Sequence, residues 1–457
     1  MTHASFKPVD LQVNFPELEK EILKSWEKDG IVAKYLARNK RSKKYFSFLD
    51  GPITANNPMG VHHGWGRSYK DLWQRFKNMQ GFRQRFQNGF DSQGLWVEVE
   101  VEKELGFKSK KDIETYGVAK FVDKCRARVM KYSAIQTEQS KRLGYFMDWD
   151  HSYYTLSDDN NYMIWNFLKK CNERGWIYKG NDSVPWCPRC ETAISQHEIL
   201  TEDYRELFHE SVYLAFPIVG QTEEYLLVWT TTPWTIPANI AIAVDTDLDY
   251  SQIEIGKRKY WLAKEAKARV FSKEKYKELK VVKGAKLVGL RYDGAFDDIP
   301  AVKKVSKIDK FHIVIPTDDL IMPINIEEGT GLVHTAVSAG TEDFRLGKKL
   351  GLPMIPVIND DASYMEGLGV FTGQNAKKNP RIILDYLKML EEKGKRFYFK
   401  TENYSHRYPA CWRCKTELVW KVTDEWYIAM DTPSKVKDKR QEVKGKQGAA
   451  PSRVVPA

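Results

Sequence analysis

Cys187-Pro-Arg-Cys190 and Cys411-Trp-Arg-Cys414 are two Cys-x-x-Cys pairs separated by nearly half the chain. Each pair can hold two thiolates on a tight turn, and four such thiolates close a tetrahedron around Zn²⁺. The spacing predicts one structural zinc site built from Cys187, Cys190, Cys411 and Cys414. If the pairs meet, the chain leaves one place, builds something large, and returns. Whatever lies between them is then an inserted domain.

Three further segments carry residues suited to chemistry. Asp50-Gly51-Pro52 opens a loop that runs through Gly60-Val61-His62-His63 to the expected start of a helix. A helix N-terminus favours phosphate through its unpaired N–H groups, and imidazoles there can hydrogen-bond charge developing at phosphorus. The same residues also suit a polar turn with two incidental histidines. Asn88-Gly-Phe-Asp91 places a carboxylate in a turn before another helix. Thr230-Thr231-Thr232-Pro-Trp-Thr235-Ile-Pro-Ala-Asn239 packs four threonines around two prolines. Hydroxyls on so stiff a loop could orient an ester and a water, and threonine equally suits an ordinary strand end.

These residues need elements to position them. Phe15 to Tyr35 reads as one amphipathic helix, with Leu18, Ile22, Leu23 and Trp26 at helical spacing. Lys44 to Leu49 is a short strand candidate that runs into the Asp-Gly-Pro turn. A helical pattern returns from His63 to Met79, with Trp65, Tyr69, Leu72, Trp73 and Phe76 on roughly one side. Strand, Gly/Pro loop and helix open an α/β nucleotide-binding unit. A further helix runs through Tyr162 to Cys171. Beyond the first cysteine pair the texture changes to short β-type runs at Leu226–Thr230, Ile240–Val244, Leu287–Leu290 and Phe311–Ile315, which predict a β-rich, barrel-like insert. Ile382 to Lys393 reads as a helix leading back to the second pair.

Composition sets the outer bounds. The 457 residues are 42% hydrophobic and 29% charged, which suits two or three globular domains and excludes a disordered or collagenous chain. No apolar run is long enough to span a bilayer, so no membrane role is expected. The N-terminus lacks a signal pattern and four of six cysteines stand in metal spacing, which predicts a cytoplasmic protein. Cys125 and Cys171 read as small apolar residues on helices. Of the formal net charge of +11, the Lys-rich segment 432–457 carries +5. The modest remainder permits tRNA binding without arguing for it. That segment lacks aromatic residues and reads as a disordered basic tail.

The run from Asp50 through Gly94 resembles the catalytic opening of class I aminoacyl-tRNA synthetases, and within them the isoleucyl branch. The family's D-G-P-P-x-A-x-G turn is similar to Asp50-Gly51-Pro52-Ile53-Thr54-Ala55-Asn56-Asn57. Its H-x-G-H signature falls on Gly60-Val61-His62-His63 and keeps only the second histidine, as His63. The contact of the first histidine is then lost unless His62 supplies it. Asn88-Gly89-Phe90-Asp91-Ser92-Gln93-Gly94-Leu95 is similar to the family's P-G-W-D-x-H-G-L-P. The resemblance implies that Gly60, His62 and His63 bind ATP, with His62 and His63 acting in catalysis. It implies that Gly51, Pro52 and Asp91 bind the amino acid, Asp91 pairing with its ammonium group. Within the insert, Gly329-Thr330-Gly331-Leu332-Val333-His334-Thr335-Ala336 and Gly340-Thr-Glu-Asp343 resemble the family's editing motif. By that likeness Asp343 holds the ammonium group of a mischarged amino acid and His334 helps keep isoleucine out. Thr230, Thr231, Thr232, Thr235, Asn239 and Ala336 complete the editing pocket.

The resemblance implies an α/β fold. Its parts are an N-terminal helical arm at 1–45, the first half of a Rossmann-type catalytic domain at 46–185, a zinc stalk at 186–200 and 400–431, and an editing insert at 201–399. It implies isoleucine--tRNA ligation with editing of Val-tRNA(Ile), ATP with Mg²⁺ as substrate, tRNA(Ile) and isoleucine as partners, and a monomer. No K-M-S-K-S-type loop is found, since Lys108-Ser109-Lys110 and Pro433-Ser434-Lys435 have the wrong context. The expectation is therefore an incomplete synthetase unable to aminoacylate alone. Three alternatives stay open: a free-standing Val-tRNA deacylase, a non-catalytic zinc-stabilised tRNA-binding protein, and valyl or leucyl specificity.

Overall fold

A computed structural model describes residues 12–200 and 204–431. The described residues divide into two compact units, one of residues 12–176 with 430–431 and the other of Ile177–Ala429. The expected basic tail at 432–457 lies outside the described residues.

In the first unit, the single amphipathic helix expected from Phe15 to Tyr35 is two helices, α1 (Phe15–Lys28) and α2 (Ile31–Ala37). Gly30 breaks them, at φ +62°, a left-handed conformation that glycine adopts at little cost. The strands β1 (Tyr45–Leu49) and β2 (Ile53–Thr54) precede α3 (Val61–Met79) and β3 (Arg83–Asp91). The helices α4 (Leu95–Leu105), α5 (Lys111–Tyr116) and α6 (Val118–Arg142) lead to β4 (Asp148–Tyr154) and α7 (Asp158–Glu173). All pairings in this sheet are parallel: β1 and then β2 lie along one edge of β3, and β4 along the other. Parallel strands need covered faces, and Phe86 and Phe90 of β3 are fully buried.

The helix α3 buries an unexpected side. Its large apolar positions Trp65, Tyr69, Leu72, Trp73 and Phe76 are exposed, whereas Arg67, Asp71, Gln74 and Asn78 are buried. Partners from the surrounding loops offset part of the cost of burying this polar side, although the Gln74 side-chain amide finds none among the described residues. Asn39 donates to the Asn78 carbonyl, and the Phe146 amide donates to Asp71.

The second unit begins with β5 (Ile177–Cys187), β6 (Thr192–Ala193) and α8 (Gln196–Leu200). The long ribbon strand β7 (Tyr204–Pro217) is followed by β8 (Glu224–Thr230), β9 (Ala241–Val244), β10 (Asp249–Ile255) and β11 (Arg258–Ala263). Then come α9 (Lys267–Val270), β12 (Lys277–Lys283), α10 (Pro300–Val305), β13 (Ile313–Pro316), β14 (Val333–Thr335) and α11 (Thr341–Leu350). The chain closes with α12 (Ile382–Glu392), β15 (Tyr398–Pro409) and β16 (Val419–Ile428). The expected strand at Leu287–Leu290 is a turn instead: the amide of Leu287 bonds back to Gly284, that of Leu290 to Leu287, and Gly289 sits at φ +90°.

The large sheet forks at β8, which pairs with β7 on one edge and with β11 and β14 on the other. From β14 the ladder continues through β9 to β13. Isolated bridges carry it on from Ile313 to Arg291 and from Tyr292 to Ile218, just past the end of β7. The sheet therefore curls back on itself around one apolar core that includes Val228, Ile242 and Leu262. The ribbon β7–β15 and the antiparallel pair β5–β16 bring residue 204 beside 409 and residue 186 beside 419. The compact units divide at Ile177 because β5 pairs along its length with β16.

Candidate functional sites

The four cysteines of the two pairs converge. Their sulfurs all lie within 4.8 Å of one another, and Cys187 Sγ is 3.5 Å from Cys414 Sγ. A tetrahedron with metal–sulfur bonds of about 2.3 Å has edges of roughly 3.8 Å. The donor set is soft and the pocket is buried, so these residues fit a four-thiolate metal centre. Crowding leaves the thiols unable to ionise alike: Cys187 and Cys190 are pushed up, whereas Cys411 is held down at about 6 and Cys414 lower still. All four are free of disulfides.

In the first unit, Gly60 caps α3 and its amide donates to His63 Nδ1 at 3.1 Å. His63 is therefore a neutral ring with Nε2 as its remaining donor. Partial burial, the neighbouring His62 and Arg67 all lower its pKa. The His62 ring lies 3.9 Å from it, centroid to centroid. Gly51 and Pro52 are exposed at the tip of the loop. Asp91 ends β3 and accepts hydroxyl hydrogen bonds from Thr54 at 3.1 Å and Thr155 at 3.4 Å.

The sequence reading missed the residues that fix this loop. Arg67 donates to Asp50 Oδ2 at 3.0 Å, to Asn88 Oδ1 at 2.7 Å and to Ser140 Oγ at 2.5 Å, tying three elements together. Arg128 donates to the side chain and carbonyl of Asn56, each at 2.7 Å, and Gln136 donates to the carbonyls of Thr54 and Asn57. No spacing signal separates these side chains from the many solvated arginines and glutamines of the chain.

In the second unit, β14 lies between β8 and β9, which brings the segment around His334 against the loop that joins those strands. That loop forms a short 3₁₀ turn over Pro233–Ala238. His334 Nε2 is 3.0 Å from Thr235 Oγ1, and Nδ1 is 2.7 Å from Asn239 Nδ2. Burial lowers the His334 pKa to about 4, so the ring is neutral. Thr230 and Thr232 hydroxyls lie 3.3 Å apart. Asp343, in the first turn of α11, accepts from the Ala336 amide at 2.9 Å. Burial pushes this carboxyl up to about 7, and among the described residues no cation pairs with it. Thr231 and Thr232 open onto a cleft of about 290 Å³ whose other walls include His209, Lys377, Arg381 and Glu417. The resemblance places the two motifs in one editing pocket. Thr235 and Asn239 meet His334 in direct hydrogen bonds, and the cleft beside the threonines has a different far wall.

Residues 21–452 match the family described as tRNA synthetases class I (I, L, M and V). The isoleucine--tRNA ligase of Pyrococcus horikoshii is 40% identical over 432 residues, which cover 93% of this chain and 39% of that protein. That of Methanocaldococcus jannaschii is 38% identical over 441 residues, covering 93% and 41%. That of Clostridium acetobutylicum is 36% identical over 425 residues, covering 93% and 39%. The chain spans about two fifths of the length of these relatives. Two solved structures, GlLeuRS-CP1 and a ternary complex of Agrobacterium radiobacter K84 agnB2 LeuRS, overlap 43% and 90% of the chain. Their TM-scores are 0.31 and 0.35, each at 14% identity.

Proposed function

Because this chain belongs to the class I tRNA synthetase family, we propose that it serves the isoleucine--tRNA ligase reaction, with its second unit hydrolysing Val-tRNA(Ile). One observation carries the editing half: two segments about a hundred residues apart lock together through His334, and the Asp343 carboxylate, which accepts from the Ala336 amide in one of those segments, has no cation paired with it among the described residues. A buried carboxylate without a partner is costly, and a substrate ammonium would relieve it. The physical need is plain. Isoleucine and valine differ by one methylene, worth roughly 1–3 kcal/mol in a pocket, the standard instance of a discrimination too small for accurate translation.

In this reading Asp343 pairs with the ammonium group of valine. The Thr231 and Thr232 hydroxyls orient the ester and the attacking water. Water oxygen adds to the carbonyl carbon, the bond to the ribose oxygen breaks, and that oxygen takes up the proton, releasing valine and tRNA. His334 is not the base, because both ring nitrogens are already engaged and the ring stays neutral. Its part is to fix the wall that turns isoleucine away.

In the first unit, the N-terminal turn of α3 and the Nε2 proton of His63 would receive ATP phosphates, and Asp91 would receive the ammonium group of isoleucine. Cys187, Cys190, Cys411 and Cys414 would hold Zn²⁺, which pins the base of the β5–β16 pair and supplies no chemistry. The test is deacylation of Val-tRNA(Ile) by the purified chain. Hydrolysis that Asp343→Ala abolishes is expected; a variant as fast as the parent would remove Asp343 from the reaction.

A further inference from the structure

Tyr292 lies outside both editing motifs, 53 residues beyond Asn239, and its ring is almost wholly buried. It stacks on His312 with centroids 4.8 Å apart and meets Phe216 edge-on at 5.2 Å. Its hydroxyl lies 2.7 Å from Asn239 Oδ1. The Asn239 amide nitrogen faces the Ala241 carbonyl at 3.1 Å and His334 Nδ1 at 2.7 Å.

These contacts fix the direction of every hydrogen bond. A backbone carbonyl can only accept, so the NH₂ of Asn239 must face Ala241, which leaves Oδ1 to accept the Tyr292 proton. The second amide proton points at His334 Nδ1, so that nitrogen is bare and the ring proton sits on Nε2. Nε2 then donates to Thr235 Oγ1 at 3.0 Å, and Thr235 gives its own proton to the Thr232 carbonyl at 2.9 Å. The sequence of donors and acceptors runs unbroken from Tyr292 to the threonine loop.

We propose that Tyr292 is a positioning residue for the second-unit site, holding the Asn239 amide so that His334 keeps its Nε2–H tautomer and Thr235 is presented as an acceptor. The consequence for Val-tRNA rests on the editing reading; the tautomer does not. Removing the phenol leaves Asn239 Oδ1 buried without a donor, a loss the site relieves by rotating the amide or admitting water. Either response weakens the donor on Nδ1 and lets the ring proton visit that nitrogen.

The test uses the full chain with ¹⁵N-histidine, the His334 signals being assigned by their loss in His334→Gln. The parent should show a single Nε2–H tautomer, and Tyr292→Phe a mixture. Tyr364→Phe is the control: Tyr364 is equally buried in the same unit, but its hydroxyl has no partner among the described residues. It should leave the His334 signals unchanged. Tyr292→Phe should also lower the preference for hydrolysing Val-tRNA over Ile-tRNA by about tenfold. A Tyr292→Phe protein whose His334 stays wholly Nε2–H overturns the proposal whatever its rates, as do equal changes in Tyr364→Phe. A parent that hydrolyses no Val-tRNA overturns the editing reading instead, and the tautomer comparison still decides the role of Tyr292.

Discussion

Asp343→Asn should make the second unit more stable at pH 8 while destroying its proposed activity. Burial raises the Asp343 carboxyl from its ordinary 3.8 to about 7. Between those values the folded chain holds a proton that the unfolded chain has released, so stability falls as pH rises through this window. The penalty is absent below about 3.8 and complete above about 7. At 1.36 kcal/mol per pH unit its ceiling is about 4 kcal/mol. Asp343 keeps some contact with solvent, which reduces the figure to about 2 kcal/mol. The asparagine also forgoes a carboxylate's attraction to the N-terminus of α11, about 0.5 kcal/mol. The expected net gain at pH 8 is therefore about 1–2 kcal/mol, or roughly 3–6 °C in Tm for a unit of this size. The gain should fall to about half near pH 5.5, because asparagine does not titrate. Paired thermal melts at the two pH values, followed by tryptophan fluorescence, measure it. A variant less stable than the parent at pH 8, or a gain independent of pH, would refute the reasoning, since Asp343 would then have a compensating partner.

Three further outcomes are expected. Metal analysis should find about one zinc per chain, with Cys190→Ser or Cys414→Ser losing it and destabilising the β5–β16 pair. Arg67→Met should cost about 1–3 kcal/mol in denaturant unfolding of the first unit, because it leaves Asn88 Oδ1 and Ser140 Oγ without their donor and the buried Asp50 paired with Lys70 alone among the described residues; an unaffected midpoint would show that water replaces the guanidinium. Thr231→Ala should leave stability within about 0.5 kcal/mol, since its hydroxyl opens onto the cleft, yet slow Val-tRNA hydrolysis, whereas His334→Ala should let Ile-tRNA be hydrolysed as well.

The cysteine pairs show how much one dimension can specify. Thiols in Cys-x-x-Cys spacing are rare and chemically particular, so two pairs implied their meeting, and that meeting implied an inserted body. Local rules likewise located β1, α3, β8, β9 and α12, where periodicity and Gly/Pro punctuation act within a few residues. The division at Ile177 and the forked, curled sheet depend on which distant strands pair, and each short β-run suits several partners equally. Helix α3 shows the limit most clearly. Its aromatic stripe was legible, but which side of the helix is buried was decided by Asp50, Asn88 and Ser140 reaching Arg67 from elsewhere in the chain. Arg67, Arg128 and Tyr292 left no mark in the sequence, because a hydrogen bond depends on position and direction to within tenths of an ångström. The sequence by itself determined which residue types could do chemistry; only tertiary structure decided which carboxylate lost its solvent and which side chains hold the proton of His334, since burial and hydrogen-bond direction are properties of surroundings and not of residues.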